Sequence, residues 1–293
     1  MIIIPGEIKT GLLHSYLLGA IAPRPICFAS TVDKDGNANL SPFSFFNVFG
    51  SNPTTLIFSP ARRVRDNTIK HTLQNIYETN EVVINVVNYA MVQQTSLSSC
   101  EYEKGVDEFV KAGFTKLASE KVKPYRVAES PVQLECKVRQ VIETGTEGGA
   151  GNLVICEVLV MHINDEILDE QQRIDPHKID LVARMGFDYY CRASGAAVFE
   201  VAKPNTQLGI GIDQLPPSIR SSKILNGNNL GMLANVSGIP HIDPSFNDDR
   251  VKQIVQYYSI SPEEMEKELH VYASTLLEEG KVREAWQVLL GLV

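Results

Sequence analysis

The amino-acid sequence predicts a mainly β protein with flanking helices, and its strand pattern favours a closed barrel over a doubly wound sheet. Many short segments rich in strand-forming residues are separated by turns that contain Gly and Asn, with few helices between them. Residues 132–139 alternate apolar with polar side chains, which is typical of a half-buried antiparallel strand. The pattern changes near residue 200, so we expect a barrel domain over residues 1–200 and a C-terminal extension over residues 201–293.

Local sequence in the first region predicts five strands and one helix. Asp35-Gly36 predicts a hairpin turn after the first strand. Ile69, Leu73 and Ile76 recur at helical spacing and predict a helix over residues 68–80. The predicted strands cover residues 25–32, 54–59, 81–87, 132–142 and 153–163.

The C-terminal extension is predicted to begin with an irregular arm and to end in helices. Pro216-Pro217 and the lack of periodicity around it predict the arm over residues 204–243. Ser261, followed by Pro262 and two glutamates, predicts a capping box that starts a helix, and a second helix follows over residues 282–290. Because so much apolar surface is unfavourable in water, we expect these helices to pack on a barrel, either their own or a partner's. Their apolar residues are Met265, Leu269, Tyr272, Leu276, Trp286, Leu289, Leu290 and Leu292.

The overall composition excludes several classes of protein. The chain has 27 Lys and Arg against 35 Asp and Glu, and a net charge of −8, so we expect neither nucleic acid nor an anionic membrane as a partner. The longest apolar segment, residues 153–163, is too short to span a membrane, and the apolar start of the chain lacks the basic region of a signal peptide. The five cysteines form no C-x-x-C pair, which favours a reducing, cytoplasmic location. The six histidines lack metal-ligand spacing, so we expect no metal.

A cationic turn precedes the predicted helix. Arg62, Arg63, Arg65 and Lys70 fall within one short segment that leads into a helix N-terminus. The free N–H groups and the positive dipole end of a helix favour an anion, and nearby hydroxyls add hydrogen-bond partners for phosphate oxygens. The segment therefore indicates a phosphate site, with a solvated charged loop as the alternative.

Small hydroxyl residues alternate with aromatic residues between Asn39 and Asn47. Backbone amides and hydroxyls presented along one edge can hydrogen-bond a flat heteroaromatic ring that carries several acceptors. The alternative is a strand that buries Phe43, Phe45 and Phe46 in the core and turns its serines outward. The sequence pattern by itself leaves both interpretations open.

Other motifs point to structure more than to chemistry. The glycine-rich segment 145–151 lacks the Lys-Ser/Thr of a P-loop, so we interpret it as a hairpin connection. Gly209-Ile210-Gly211 lacks the third glycine of a dinucleotide fingerprint, and nothing else predicts a Rossmann domain. His162 ends an apolar strand and is interpreted as a core or rim histidine.

Taken in order, a series of segments resembles one known family. The segments are Ala22 to Pro25, Ser30-Thr31, Asp35-Gly36, Asn39, Pro42 to Phe46, Ser59, Arg62-Arg63, Lys70 to Thr72, Asn75-Ile76, Phe109, Ala112-Gly113, Glu157 to His162, and Arg184 to Tyr190. Their combination resembles the flavin reductase-like family with the FMN-binding split-barrel fold, in particular its flavoredoxin-type branch. The resemblance covers roughly residues 10–200 and leaves the extension outside it.

The resemblance implies a set of residues that bind FMN. Residues 41–45 would meet the edge of the flavin ring, and Ser59, Arg62, Lys70 and Thr72 would hold the phosphate. The full implied set is Thr31, Asn39, Ser41, Pro42, Phe43, Ser44, Phe45, Asn47, Ser59, Arg62, Lys70 and Thr72. Whether His162 or Tyr190 touches the ligand stays open.

The resemblance further implies a homodimer with FMN near the subunit interface, and a hydride passed from NADH or NADPH to flavin N5. Because the flavin is then the reactive group, no catalytic acid–base pair is expected. The sequence leaves open the electron acceptor, the choice of donor, and whether flavin is a prosthetic group or a substrate. The alternatives are a flavoredoxin-like electron carrier, a non-catalytic flavin-binding module, and an oligomeric structural protein that has lost the ligand.

Overall fold

A computed structural model describes residues 1–204 and 208–291, and it separates into two compact units, residues 1–199 and residues 200–293. Leu292, one of the apolar residues named for the extension, lies outside the described residues. Within the described part of the chain, no helix is both long enough and apolar enough to cross a membrane.

Unit 1 (residues 1–199) is built mainly of β-strands. Its strands are β1 Arg24–Pro25, β2 Cys27–Val32, β3 Ala38–Phe43, β4 Phe46–Ser51, β5 Thr54–Phe58, β6 Glu81–Val86, β7 Lys116–Leu117, β8 Arg126–Val127, β9 Val132–Glu143, β10 Asn152–Ile163, β11 Val182–Arg184 and β12 Tyr190–Arg192. Its helices are α1 Thr10–Ala20, α2 His71–Thr79, α3 Val92–Leu97 and α4 Glu108–Ala112. The prediction of a mainly β fold with flanking helices is confirmed.

Seven of these strands form one antiparallel sheet in the order β3-β2-β6-β9-β10-β5-β4. The two end strands, β3 and β4, are consecutive in the chain and are joined only by Ser44 and Phe45, so the sheet must curl back on itself. They are not paired with each other in the described structure, because β3 pairs with β2 and β4 pairs with β5. The predicted closed barrel is therefore a barrel with an open seam between β3 and β4.

The interior of the barrel is apolar. Phe58, Ile84 and Val154 are fully buried there, and α2 adds Leu73 and Ile76 from its inward face. Burial of this apolar surface is the main favourable contribution to folding. The helical spacing seen in the sequence is thus the packing face of α2, although the helix begins at His71 because residues 61–70 form the cationic turn.

The five predicted strands are present, with ends that differ by one or two residues. The sequence analysis missed α1, in which no residue is buried, so that the helix lacks the apolar stripe that guided the predictions. It also missed β4, where Val48 and Phe49 are exposed and strict alternation is lost.

Unit 2 (residues 200–293) is helical in its described residues. Its helices are α5 Pro217–Arg220, α6 Gly227–Ala234, α7 Asp249–Tyr257, α8 Pro262–Glu278 and α9 Val282–Leu290. The predicted irregular arm is therefore interrupted by α5 and α6. The predicted capping box at Ser261 is wrong, since its side chain caps no N–H group; the box forms instead between Asn226 and Asn229 at the start of α6.

The apolar face of α8 and α9 is buried among the helices of unit 2 itself. Leu269, Leu276 and Trp286 are each at most 5% exposed and pack with Leu233 and Ile254. The Trp286 indole N–H donates to the carbonyl oxygen of Leu233 at 3.2 Å. We expected α8 and α9 to be covered by a barrel, and this expectation is corrected. Their apolar face is covered by α5 and α6, which lie in the predicted arm, and by α7, which follows it.

We predict that shortening the chain has opposite effects at two positions. A chain ending at Phe199 keeps every member of the barrel core and is expected to fold with its strand content intact. A chain ending at Asn247 retains Leu215, Ile219 and Leu233 but loses α8 and α9, which cover them, so it is expected to aggregate. Size-exclusion chromatography and circular dichroism of both chains test this. Equal solubility of the two chains would contradict it.

Candidate functional site

A cavity of about 360 Å³ lies at the open seam of the barrel. This volume falls within the range of small-molecule sites. The residues that line it are His14, Leu18, Arg24, Pro42, Phe43, Ser44, Phe45, Ser59, Ala61, Arg62, Arg63, Val64, Lys70, Gly149 and Arg184. We call it the cationic cavity, because five of these residues are Arg or Lys and, among the described residues that line it, none is acidic.

The Lys70 ammonium is the least compensated of these charges. Within residues 1–204 and 208–291 it makes neither a hydrogen bond nor an ion pair, and it lies 5.3 Å from the centre of the Phe43 ring. Burial, and then the neighbouring Arg63, lower the pKa of Lys70. The carboxylates of Glu101 and Glu108 oppose this shift only in part, so an anion bound beside Lys70 would stabilise its charged form.

Arg24 contributes charge while its hydrogen bonds are used within the protein. Its guanidinium donates to the carbonyl oxygens of Leu18, Ile21 and Met185 at 2.5 to 2.9 Å, and to the hydroxyl of Ser44 at 3.4 Å. Arg24 is 6% exposed, and burial followed by repulsion from Arg184 lowers its pKa. Arg24 therefore supplies positive potential to the cavity and fixes its wall.

The cationic turn is held in place by the hairpin between β9 and β10. The Arg62 N–H donates to the carbonyl oxygen of Ala150 at 2.9 Å, and the Gly149 N–H donates back to the carbonyl oxygen of Arg62 at 3.0 Å. A Cβ on Gly148 would approach the Arg63 carbonyl oxygen to 3.0 Å, which explains the need for glycine at this close approach. The segment interpreted as a hairpin connection is one, and it positions two arginines of the site.

The segment between Asn39 and Asn47 combines features of both sequence interpretations. Phe43 is buried and Phe46 packs on the core, but Phe45 is 40% exposed and lines the cavity beside Ser44. The two strands β3 and β4 stop on either side of Ser44 and Phe45. Polar groups at this break are thereby presented to the cavity.

Several predicted site residues lie behind the cavity wall in a buried polar network. Asn39 donates to Glu108 at 2.9 Å and accepts from the Thr72 hydroxyl at 2.8 Å. Asn75 donates to the Thr31 hydroxyl at 3.1 Å, and that hydroxyl reaches Asn39 at 3.5 Å. Burial raises the pKa of Glu108, while its carboxylate also accepts the N–H of Leu40. The network joins β2, β3, α2 and α4 directly beneath Lys70.

The structure thus divides the predicted site residues into three groups. Pro42, Phe43, Ser44, Phe45, Ser59, Arg62 and Lys70 line the cationic cavity. Thr31, Asn39 and Thr72 are buried in the network, and Ser41 lies with Asn39 along a smaller cavity on the other side of Lys70. Asn47 is exposed on β4, with its side chain accepting the N–H of Val48.

Residues outside the predicted set also line the cationic cavity. Arg63 and Arg184 were seen in the sequence as parts of motifs without an assigned contact, and His14 and Leu18 come from α1, which was missed. Arg24 lies between two prolines, and a charged residue in such an apolar segment is a signal that points to a buried role.

His162, whose contact with the ligand was left open, forms a separate pair with Glu135. Its Nε2 lies 2.8 Å from a carboxylate oxygen of Glu135, which also accepts the N–H groups of Glu120 and Lys121. The Glu135 carboxylate thus fastens the loop at residues 120–121 to the barrel, and His162 is a further hydrogen-bond partner of that carboxylate. In the described ranges there is no cluster of three or more His, Cys, Asp or Glu side chains that could hold a metal ion.

Comparisons with known proteins identify the family of the chain. The flavin reductase like domain model matches residues 19–178. An uncharacterised protein from Aquifex aeolicus (strain VF5) is 35% identical over 189 residues, covering 64% of this chain and 94% of the relative. Nitrilotriacetate monooxygenase component B from Bacillus cereus has a similar structure, with a TM-score of 0.64, 25% identity, and coverage of 69% of this chain and 98% of that one.

A further solved structure with the same fold is described as a split barrel. A Shewanella frigidimarina NCIMB 400 protein described as a flavin reductase with a split barrel domain matches with a TM-score of 0.58 and 26% identity, covering 67% of this chain and 96% of that one. The resemblance noted in the sequence is confirmed. In each comparison nearly the whole relative is covered, while about a third of this chain is not.

We predict that Thr72→Val destabilises the protein more than Thr79→Val, although both lie on α2. The first change leaves the buried Asn39 Oδ1 without its closest donor and should lower the free energy of unfolding by about 1–3 kcal/mol. Thr79 only donates to the carbonyl oxygen of Asn75 within its own helix, so its loss should be smaller. Urea unfolding of both variants measures this, and equal losses would show that the network contributes no special stability.

Proposed function

The chain belongs to the flavin reductase-like family, and from this premise we propose that it is an FMN-binding oxidoreductase, a flavin reductase that accepts a hydride from NADH or NADPH. The observation that carries the proposal is the partly buried, unpaired Lys70 ammonium in a cavity lined by five cationic residues and no acidic one among those described. A phosphate-bearing flavin matches this charge, whereas a neutral ligand does not.

The lining residues suggest how FMN would be held. Lys70, Arg62 and the Ser59 hydroxyl would bind the phosphate, with Arg63 adding positive potential. Ser59 accepts the N–H of Asn152 at 3.1 Å, which leaves its own proton available to a phosphate oxygen. The flavin ring would lie toward residues 42–45, where Phe45 offers an aromatic face.

The buried residues of the predicted set would not touch FMN but would position the residues that line the cavity. Thr31, Asn39 and Thr72 would hold the start of α2 on the barrel and so set the position of Lys70. Ser41 and Asn47 belong to the same proposed set, at the two strands that border the seam.

FMN held by Lys70, Arg62 and Ser59 would supply the reactive centre, a ring able to take up hydride and to release electrons to an acceptor. The protein then has to bind and orient the ring, hold the phosphate, and limit water at the seam. None of these tasks needs an acid–base pair, which is consistent with a cavity lined by cations and hydroxyls.

We also propose a homodimer and a cytoplasmic location. Exposed apolar side chains of unit 1 support the dimer, with Phe49, Phe187 and Tyr189 each more than 60% exposed. The five cysteines are all free, and three of them are buried in the barrel core, which is consistent with a reducing compartment.

A second candidate is an electron carrier that is reduced by a partner instead of by a nicotinamide donor. Compact reductases of the superfamily often carry Gly-Asp-His before the late strand, whereas this chain has Gly151-Asn152-Leu153. Asn152 is 1% exposed and donates to the carbonyl oxygen of Pro60, so its side chain is unable to meet a nicotinamide.

Steady-state oxidation of NADH and NADPH with added free FMN separates the two functions. A reductase is expected to turn over continuously, whereas a carrier reduces its bound flavin at most once and then stops. A colourless preparation that fails to bind added FMN would contradict both candidates.

We predict that Lys70→Ala weakens binding of FMN far more than binding of riboflavin, which lacks the phosphate. Loss of one charge-assisted contact should cost about 1.5–3 kcal/mol, or roughly ten- to 150-fold in affinity. Flavin fluorescence titration measures both ligands, and Lys123→Ala, which removes an exposed lysine outside the cavity, is the control. Equal weakening of the two flavins would exclude Lys70 from phosphate binding.

A further inference from the structure

A second concavity continues from the cationic cavity along the outside of unit 1. A connecting space of about 160 Å³ shares four lining residues with the cationic cavity, namely Pro42, Phe43, Ser44 and Arg184. It leads into a groove of about 490 Å³. We call this the outer groove and define it by Tyr89, Gln93, Ser96, Arg184, Tyr190 and Arg192. Arg184 lines all three spaces and therefore lies where they meet.

The floor of the outer groove carries two stacked cation–aromatic pairs. The Arg192 guanidinium lies 3.8 Å from the centre of the Tyr89 ring, and the Arg184 guanidinium lies 4.5 Å from that of Tyr190. Such planar surfaces stack well on a flat heteroaromatic ring. Tyr89 is 47% exposed, so part of this surface is open to a ligand.

The two arginines differ in how their charge is compensated. Asp180 accepts from Arg192 at 2.7 Å with each of its two carboxylate oxygens, which neutralises that charge and locks the side chain in place. Arg184 has only Asp188 as an ionic partner in the described residues; Asp188 also lines the groove, but it is fully exposed and 3.7 Å away. The groove therefore offers a fixed planar platform at one end and an available positive charge at the other.

We propose that the outer groove binds the adenosine phosphate half of the nicotinamide dinucleotide donor. This inference rests on the proposed function, and it names the part of the molecule that holds the donor. A dinucleotide carries two flat rings joined by a diphosphate. With the nicotinamide beside the flavin ring at residues 42–45, the diphosphate would meet Arg184 and the adenine would reach the Arg192–Tyr89 platform.

The first test measures binding of 5′-AMP to the FMN-loaded protein by calorimetry, without any turnover. Gln93 on α3 is exposed and faces the groove, so charge changes there alter the potential with little effect on folding. Gln93→Glu is expected to weaken AMP about three- to ten-fold, and Gln93→Lys to strengthen it by a similar factor. Gln140→Glu on β9, which lines neither cavity, is the control and should leave the affinity unchanged.

The second test compares reduced dinucleotide with reduced nicotinamide mononucleotide, which lacks the adenosine half. Gln93→Glu should raise KM for NADH several-fold and leave KM for the mononucleotide and the FMN affinity unchanged. If wild-type protein oxidises neither donor, the proposed reductase function fails, while the AMP titrations still decide whether the groove binds adenosine phosphate.

Two results would overturn the inference. One is that wild-type protein binds no AMP at millimolar concentration, or binds it with the same affinity in the two Gln93 variants. The other is that these variants shift the monomer–dimer equilibrium in sedimentation without changing AMP affinity, which would make the groove a contact surface between two copies of the chain.

Discussion

The open seam between β3 and β4 is the constraint on which the rest of the site depends. In a fully closed barrel these end strands would pair, and their backbone groups would be satisfied by each other. Here Ser44 and Phe45 carry the chain from one end of the sheet to the other without a hairpin. The break leaves a concave wall of hydroxyl and aromatic groups at a place where the barrel core still fixes both flanking strands. The flanking strands stay rigid because they pack on the barrel core, while the short break between them leaves the cavity open to a ligand.

Only some of the cationic side chains at the seam have hydrogen-bond or ionic partners within the described part of the protein. The guanidinium of Arg24 donates its hydrogen bonds to main-chain carbonyl oxygens. Arg63 forms an ion pair with Glu101, with 3.2 Å between its Nε and a carboxylate oxygen. Lys70 is the cation that forms no hydrogen bond or ion pair with the described residues. Its position is fixed by the adjacent network, in which Asn39 donates to Glu108 and accepts from Thr72. Gathering so many cations costs free energy through mutual repulsion and desolvation, as the lowered pKa values of Arg24 and Lys70 indicate. An anionic ligand offsets that cost, so the wall and its ligand stabilise each other.

The sequence predicted those elements whose periodicity matches their environment. β9 and β10 were found from alternating or continuous apolar residues, and the inward face of α2 from apolar residues at helical spacing. The prediction of a half-buried β9 is only partly right, because Gln133 and Glu135 on its polar side are buried as well. Lys70 and Arg62 were found because clustered cations before a helix have a direct physical meaning. Local patterns contain no information on contacts between residues far apart in the chain. They did not predict that Asn75 donates to Thr31 or that Arg184 lines the cavity at the seam. Nor did they predict that α5 and α6 pack against α8 in unit 2. A resemblance to a family narrowed the possible arrangements up to residue 200, whereas beyond it only local patterns were available, and these predicted α8 and α9 but not the helices packed against them.

The hydrogen bonds of Arg24 also determine which neighbouring positions are free to vary. Its guanidinium binds the main-chain carbonyl groups of Leu18, Ile21 and Met185, which any amino acid at those positions would provide. The side chains of Ile21 and Met185 can therefore vary over evolutionary time, provided that the backbone path is kept, whereas that of Leu18 also lines the cavity. Arg24 itself has no such latitude, because a lysine would bring one ammonium group where several directed N–H groups are needed. A single invariant arginine surrounded by changeable partners is the pattern that this arrangement should leave in an alignment of related chains.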